Sequence, residues 1–422
     1  MIGLRIASLR KSKQLSQKEL CHGITSVSHL SNLESCRYMA GKETIELIAE
    51  RLNVSPNYLL SYSEPNFELE AILKRIFKKI VLKNEAVEEE LKSIPTPINN
   101  LKLEISYYLL VASFYYKNSD LTNARHIDNK YLKVPLKYLM NHEESFESPL
   151  KEYLYYYLGL KLFRENKFSL SSIYFSKLME INFDKELKPA LQYNLALIHF
   201  KMTNYYQALS YAKKTLENYL NTLNWLKVGE IYNFISVIYR EQHLFDEALE
   251  QLNKALNIAK NMKLPTLTGT TYHNLGLIYE DLNNFDAALL NYQNAIQFKT
   301  QTKMSTFITY SCLIRFYIKR QQYDLAEDLI YKTLKNIKNP YELNIIESYQ
   351  ASIALSRGNV DAFLNKSLKS SDFFESNNFF HEAQYLNTII GEAYYADRKY
   401  KLSSMYFKKA LNLKYKLKGG KI

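Results

Sequence analysis

Twelve residues after Gly276 stands Ala288, twelve after Ser236 stands Ala248, and twelve after Ala196 stands Ala208. This spacing constrains the chain more than any other feature. Around it recur Tyr279, Tyr292 and Ala295 in one copy, Tyr239, Leu252 and Ala255 in the next, and His199 and Ala212 in a third. Looser copies start at Ala112, Gly159, Ile314, Gln350 and Gly391, and the residue twelve further on is again small: Ala124, Ser171, Ala326, Ala362 and Ser403. Two helices that cross closely need a small side chain at the contact, while a large aromatic fills the gap between neighbours. Short segments at 244–246, 284–286 and 322–324 supply turns between the paired helices. One such hairpin cannot bury its own apolar face, so the copies must stack. The spacing predicts an all-α chain.

Composition agrees. Only 11 Gly and 9 Pro punctuate 422 residues, too few for a turn-rich β protein. The length exceeds one ordinary core, which calls for several units or a repeat array. The three cysteines, Cys21, Cys36 and Cys312, have no metal-type spacing, and their odd number argues against a disulfide framework. The N-terminus lacks the apolar core of a signal peptide, and the apolar stretch at 107–116 is too short to cross a bilayer. A cytoplasmic protein without a membrane partner is expected. No phosphate loop, HExxH, Cys-x-x-Cys or nucleophile elbow occurs, so neither an enzyme, a cofactor nor a metal is expected. The formal charge of +12 suggests an anionic partner. It is spread out, however: residues 1–60 hold eight Lys and Arg against five Asp and Glu, and a second basic cluster comprises Lys408, Lys409, Lys414, Lys416, Lys418 and Lys421. That terminal cluster reads equally as a solvated tail.

Residues 1–60 parse into five short helices. Ile2, Ile6 and Leu9 share a face, with Arg5, Arg10, Lys11 and Lys13 expected outside it. Ser16 offers an N-cap oxygen and Glu19 the reciprocal partner of a capping box. In a third helix Val27, Leu30 and Leu33 are expected inward, leaving Ser28, His29, Ser31 and Asn32 outward. The strings LRKSKQLSQKEL, SVSHLSNLES and IELIAERLNVSPNYLL resemble the Cro/repressor-type helix-turn-helix domain across this whole segment. The resemblance implies that the third helix lies in the major groove. It makes Ser26, Ser28, His29 and Asn32 base or phosphate contacts, with Gln17 on a phosphate or orienting the reader helix and Arg37 on the backbone beyond. Glu34 is expected to support the domain. The family usually ends this helix with glycine; here stands Cys36.

The repeat resembles tetratricopeptide repeats, strongest at 190–335, which implies a right-handed α-solenoid with a concave groove lined by first helices. The expected organisation is a DNA-binding domain at 1–62, a connecting helix and linker at 63–99 ending at Pro95 and Pro97, and the array at 100–422. First helices would place Tyr193, Asn194, Asn233, Tyr272, His273 and Asn274 in the groove, with Lys201, Arg240, Arg315 and Lys319 nearby. Side-chain amides can hold both the N–H and the C=O of an extended peptide; equally, such asparagines can satisfy groups between repeats. The joint architecture resembles the peptide quorum-sensing transcription regulators of Gram-positive bacteria, of the PlcR, NprR, Rgg and arbitrium-receptor type. That resemblance implies operator DNA and a short signalling peptide as partners, and a homodimer or higher homo-oligomer. The alternative is a Rap- or NprR-like effector that binds and inhibits a response regulator.

Overall fold

The computed structural model describes residues 2–82, 87–181, 184–337 and 339–417. These form α-helices joined by short turns, with no strand among the described residues. Lys418 and Lys421 of the basic terminal cluster lie outside them. The chain divides into two compact units, Met1–Asn194 and Leu195–Ile422.

The first unit opens with α1 (Ile2–Ser12), α2 (Gln17–Cys21), α3 (Val27–Glu34), α4 (Lys42–Arg51) and α5 (Pro56–Leu60) around a core of Ile6, Leu20, Leu30, Leu33, Ile48, Leu52 and Leu59. Ser16 and Glu19 make both bonds of the expected capping box. Two charged residues turn inward instead of outward, because each meets acceptors. Arg10 is 9% exposed and forks onto Glu34, while Arg5 is 2% exposed and reaches Glu104, 99 positions away in the sequence. Val27, expected inside, is 44% exposed. The connecting segment is two helices, α6 (Phe67–Leu82) and α7 (Val87–Ser93). After them come α8 (Leu101–Lys117), α9 (Leu121–Ile127), a π-helical turn at Asp128–Leu132, α10 (Lys133–Asn141), α11 (Leu150–Arg164) and α12 (Phe168–Glu180). Helix α1 packs on α10 as well as on α3, so residues 1–60 and the first hairpins share this unit.

Helix α13 (Lys188–Lys201) contains the division between the units. The second unit continues with α14 (Tyr205–Asn221), α15 (Trp225–Glu241), α16 (Phe245–Asn261), α17 (Pro265–Asp281), α18 (Phe285–Gln301), α19 (Phe307–Lys319), α20 (Tyr323–Leu334), α21 (Pro340–Ser356), α22 (Val360–Ser376), α23 (Phe380–Ala396) and α24 (Tyr400–Leu417). Helices α15, α17, α19, α21 and α23 each pack on the helix that follows, and α15 touches α17 as α19 touches α21, which sets these first helices side by side.

The small residue twelve positions on is where the paired helices touch. Ala208, Ala248, Ala288 and Ala326 are fully buried. One copy departs: Gln350 and Ala362 are only half-buried, and the buried pair is Ala351 and Phe363, one residue later. There the small side chain sits on the first helix and the large one on the second, so a search for a small second residue slips by one. Where the anchor is glycine, the space is used by an aromatic sixteen residues further on. A Cβ at Gly159, Gly276 or Gly391 would lie within 3 Å of the ring of Phe175, Tyr292 or Phe407.

Turns are made largely without glycine. Thr203, His243, Asn283, Gln321 and Arg398 all take a positive φ at the hairpin turns. Cys36 does so at the end of α3, with φ 57, while the Cys36 N–H donates to Leu33 O and the Arg37 N–H to Asn32 O. This is the Schellman end that glycine normally provides. Cysteine therefore replaces glycine with the local geometry unchanged.

Candidate functional sites

The outward face of α3 is the first candidate. Ser26 caps the helix through a bond from the His29 N–H at 3.1 Å. Ser26, Ser28, His29 and Arg37 are exposed, and Asn32 is half-buried. The His29 ring is held: it stacks on Tyr38 with centroids 5.1 Å apart, and its Nδ1 lies 3.4 Å from Thr25 Oγ1. Gln17 does not stand free beside this face. Its Nε2 donates to Glu34 Oε2 at 2.8 Å, and the same carboxylate receives Arg10 at 2.6 and 2.8 Å. The charge-assisted fork ties α1 and α2 to the last turn of α3 and sets the angle at which that helix is presented. Gln17 and Glu34 thus sit where they orient α3. Tyr38 and Thr25, which brace His29, were not singled out by sequence; Tyr38 falls in a loop that helical periodicity does not describe.

The second candidate is the layer of first helices in the second unit. Asn233 on α15 is 5% exposed, and its Nδ2 donates to Gly229 O at 3.1 Å and to Thr271 Oγ1 at 2.9 Å. Its Oδ1 accepts from Asn274 Nδ2 at 2.8 Å. Both ends of the Asn233 amide therefore tie α15 to itself and to α17. Asn274 is half-buried and spends one end of its amide on Asn233. The cations expected nearby are also engaged: Arg240 Nε meets Asp281 Oδ2 at 2.5 Å, and Arg315 Nη2 lies 3.8 Å from Glu280 Oε2. Tyr292 donates to that Glu280 at 2.8 Å. Tyr272 stacks on Phe298 with centroids 5.8 Å apart. Lys201 and Lys319 are exposed at the ends of α13 and α19. Tyr193 and Asn194, half-buried on α13, close the first unit.

His273 is 8% exposed on α17, with Nδ1 3.2 Å from Thr309 Oγ1 on α19. Burial first, and then the charges of Lys299, Arg240 and Arg315, push its pKa down to about 3. Among the described residues there is no cluster of three or more His, Cys, Asp or Glu fit to hold a metal ion, and no helix is long and apolar enough to cross a membrane.

Two measurable consequences arise here. Asn233→Ala would orphan the Asn274 amide and remove a partner of Thr271, at a cost of about 1–3 kcal/mol for each buried group left unsatisfied. A lowered urea midpoint is expected, with a smaller change for Asn274→Ala; an unchanged midpoint for Asn233→Ala would mean the amide is not structural. The second concerns acid. A histidine whose folded pKa lies below its unfolded value binds fewer protons when folded, so stability is lost as pH falls from about 6.5 toward about 3. Between pH 6.5 and pH 5 the loss is about 2 kcal/mol. His273→Gln should lack this increment of acid lability in paired urea melts, and equal pH slopes in the two proteins would refute the assignment.

Comparison with known proteins agrees with both halves of the molecule. A helix-turn-helix family model matches residues 6–59, and tetratricopeptide repeat models match 188–261 and 269–302. The transcriptional activator NprA of Geobacillus stearothermophilus is 25% identical over 410 residues, covering 92% of this chain and 97% of the relative. Among solved structures, a Rap protein complexed with competence and sporulation factor superposes with a TM-score of 0.59 at 17% identity, covering 83% of this chain and 99% of that one. The apo quorum sensor NprR from B. thuringiensis gives 0.58 at 16% identity, covering 82% and 99%. NprR in complex with its cognate peptide NprX gives 0.54 at 17% identity, with the same coverage. The chain thus joins a segment that matches a helix-turn-helix model to an array that matches tetratricopeptide repeat models, and it is similar along nearly its whole length to the transcriptional activator NprA.

Proposed function

We propose that this protein is a peptide-responsive transcriptional regulator. It binds operator DNA through α3 and a short signalling peptide through the layer of first helices, and it works as a homo-oligomer in the cytoplasm. The observation that carries the reading is the exposed polar face of α3, held at a set angle by the Arg10–Glu34–Gln17 fork, in a chain that matches a transcriptional activator over 92% of its length. Ser26, Ser28, His29, Asn32 and Arg37 face DNA in this reading, and Gln17 orients the helix. The fold shared with NprR bound to NprX supports a peptide on the array. Because Asn233 is spent within the protein, Tyr272, Asn274 and Arg240, half-buried, and Lys201, Arg315 and Lys319, exposed, are the expected members of the second unit that retain surface for a ligand. His273, 8% exposed on the same unit, completes the proposed set. The fold shared with a Rap protein favours one further reading, in which the array binds a response regulator.

Selection of bound sequences from a random DNA library with the full-length protein tests the main reading. A dimeric reader should enrich paired half-sites one helical turn, about 34–36 Å, or a multiple apart. No enrichment over a variant with Ala at Ser28, His29 and Asn32 would sink it. Capture of a response regulator by that same non-enriching protein would establish the second reading instead.

A further inference from the structure

Lys299, near the end of α18, is 6% exposed, yet among the described residues no carboxylate lies within ion-pair distance of it. Its Nζ donates to Thr309 Oγ1 at 2.9 Å. The neighbouring cations differ in this respect, since Arg240 faces Asp281 and Arg315 faces Glu280. An ammonium has only protons to offer, so at Thr309 the hydroxyl oxygen must accept. Thr309 is fully buried, and the other polar atom near its hydroxyl is His273 Nδ1, at 3.2 Å. The hydroxyl proton is satisfied only by donation to that nitrogen. Nδ1 is then the bare acceptor of the ring and the proton resides on Nε2. Nε2 has no partner among the described residues and is not fully sealed, keeping a small accessible surface on a residue that is 8% exposed.

We propose that Lys299 and Thr309 are positioning residues that hold His273 as a neutral Nε2–H donor, and that this donor receives a carboxylate of the groove ligand. The preference for a carboxylate over a neutral carbonyl follows from the charges facing the ring. Lys299 from α18, Arg240 from α15 and Arg315 from α19 outnumber Glu280 and Asp281 on α17 by one. Glu280 also accepts from Tyr292, which leaves it less of its charge to oppose an incoming anion. An imidazolium would also attract an anion, but burial beside three cations opposes it. A fixed neutral donor needs no proton uptake, so binding here should not switch on as pH falls. The ligand's carboxylate has two sources, an acidic side chain or the C-terminus. This inference rests on the reading of the first-helix layer as a ligand groove, and its test is independent of DNA or of any regulatory response.

The test uses full-length protein labelled with ¹⁵N in its histidine rings, with His273 assigned by the signals lost in His273→Asn. Long-range ¹H–¹⁵N correlation should show an unprotonated Nδ1 and a protonated Nε2 from pH 8 down to pH 5. Thr309→Val should mix the tautomers, and Thr309→Ser should restore the single one; a merely structural threonine would leave the ring signature unmoved. Sodium acetate should then shift Nε2 at concentrations at least tenfold below those needed of N-methylacetamide, and Lys299→Met should abolish that preference. N-acetylglycine and N-acetylaspartic acid α-amide separate the two sources, and the tighter of them identifies which carboxylate the site takes. A protonated Nδ1, or equal response to acetate and N-methylacetamide, would overturn the inference while leaving DNA and peptide recognition untouched. Loss of DNA selection with the expected ring signature intact would do the reverse.

Discussion

Arg5→Ala is expected to lower the stability of the first unit by about 3–5 kcal/mol, the usual cost of stranding one partner of a buried ion pair. Arg5 donates through Nε to Glu104 at 3.1 Å, through Nη2 to Ile98 O at 2.9 Å, and through Nη1 to Asn99 O at 2.6 Å and to Tyr58 O. Its guanidinium also lies 4.1 Å from the Tyr58 ring centroid, and the Tyr58 hydroxyl donates to the same Glu104. Truncation leaves a carboxylate and two loop carbonyls buried with their main donor gone. One side chain thus fastens α1 and α5 to the start of α8. Hydrogen exchange should therefore quicken together in residues 2–12, 56–62 and 98–106, rather than in α1 alone. The paired variant Arg5→Met with Glu104→Leu should recover most of the loss, because well-packed apolar pairs often replace buried ion pairs at little cost. If the single and paired variants are equally unstable, the packing of α8 and not the ion pair is what matters.

His29→Ala combined with Asn32→Ala should weaken operator binding by about thirtyfold to twenty-thousandfold. The range follows from about 1–3 kcal/mol for each lost base contact. The fold should survive, since His29 is exposed and the helix end relies on the main-chain oxygen of Asn32, which alanine keeps. Titration of the selected operator, with circular dichroism as a control, makes the measurement. Undiminished sequence-specific binding by the double variant would remove α3 from the interface. Arg37→Ala should behave differently: a contact to phosphate costs affinity on all sequences alike and makes binding less dependent on salt.

Much of this was legible in the chain because it is local. A small residue twelve positions after its anchor marks two helices in contact, and seven of the eight copies keep that frame in the structure. The copy at 350 slipped by one because Ala351 and Phe363 reverse the usual order of sizes, and spacing alone does not say which member must be small. The capping box of Ser16 and Glu19 was readable for the same reason, being a contact between residues three positions apart, whereas the Schellman end at Cys36 was not, because the residues alone pointed to a different cap where glycine is missing.

What the sequence could not show is where polar side chains go. Helical periodicity sorts residues by apolarity, so Arg5 and Arg10 were placed outside. They turned inward because Glu104 and Glu34 arrive from other helices to meet them. Asn233 stood at a repeat position equally suited to a ligand or to a neighbouring helix, and Thr271 and Asn274 decided for the neighbour. His273 was a groove residue by register, but its neutrality comes from burial and the cations around it, and the placement of its proton depends on Lys299 and Thr309, on two other helices. Sequence by itself determined which helices form and how they pair, because those choices rest on apolar area and close approach, which are encoded at short spacing. The tertiary structure decided which polar groups remain to bind a partner. A buried hydrogen-bonding group must be satisfied by whatever the fold brings beside it, and only what is left unspent can face a ligand.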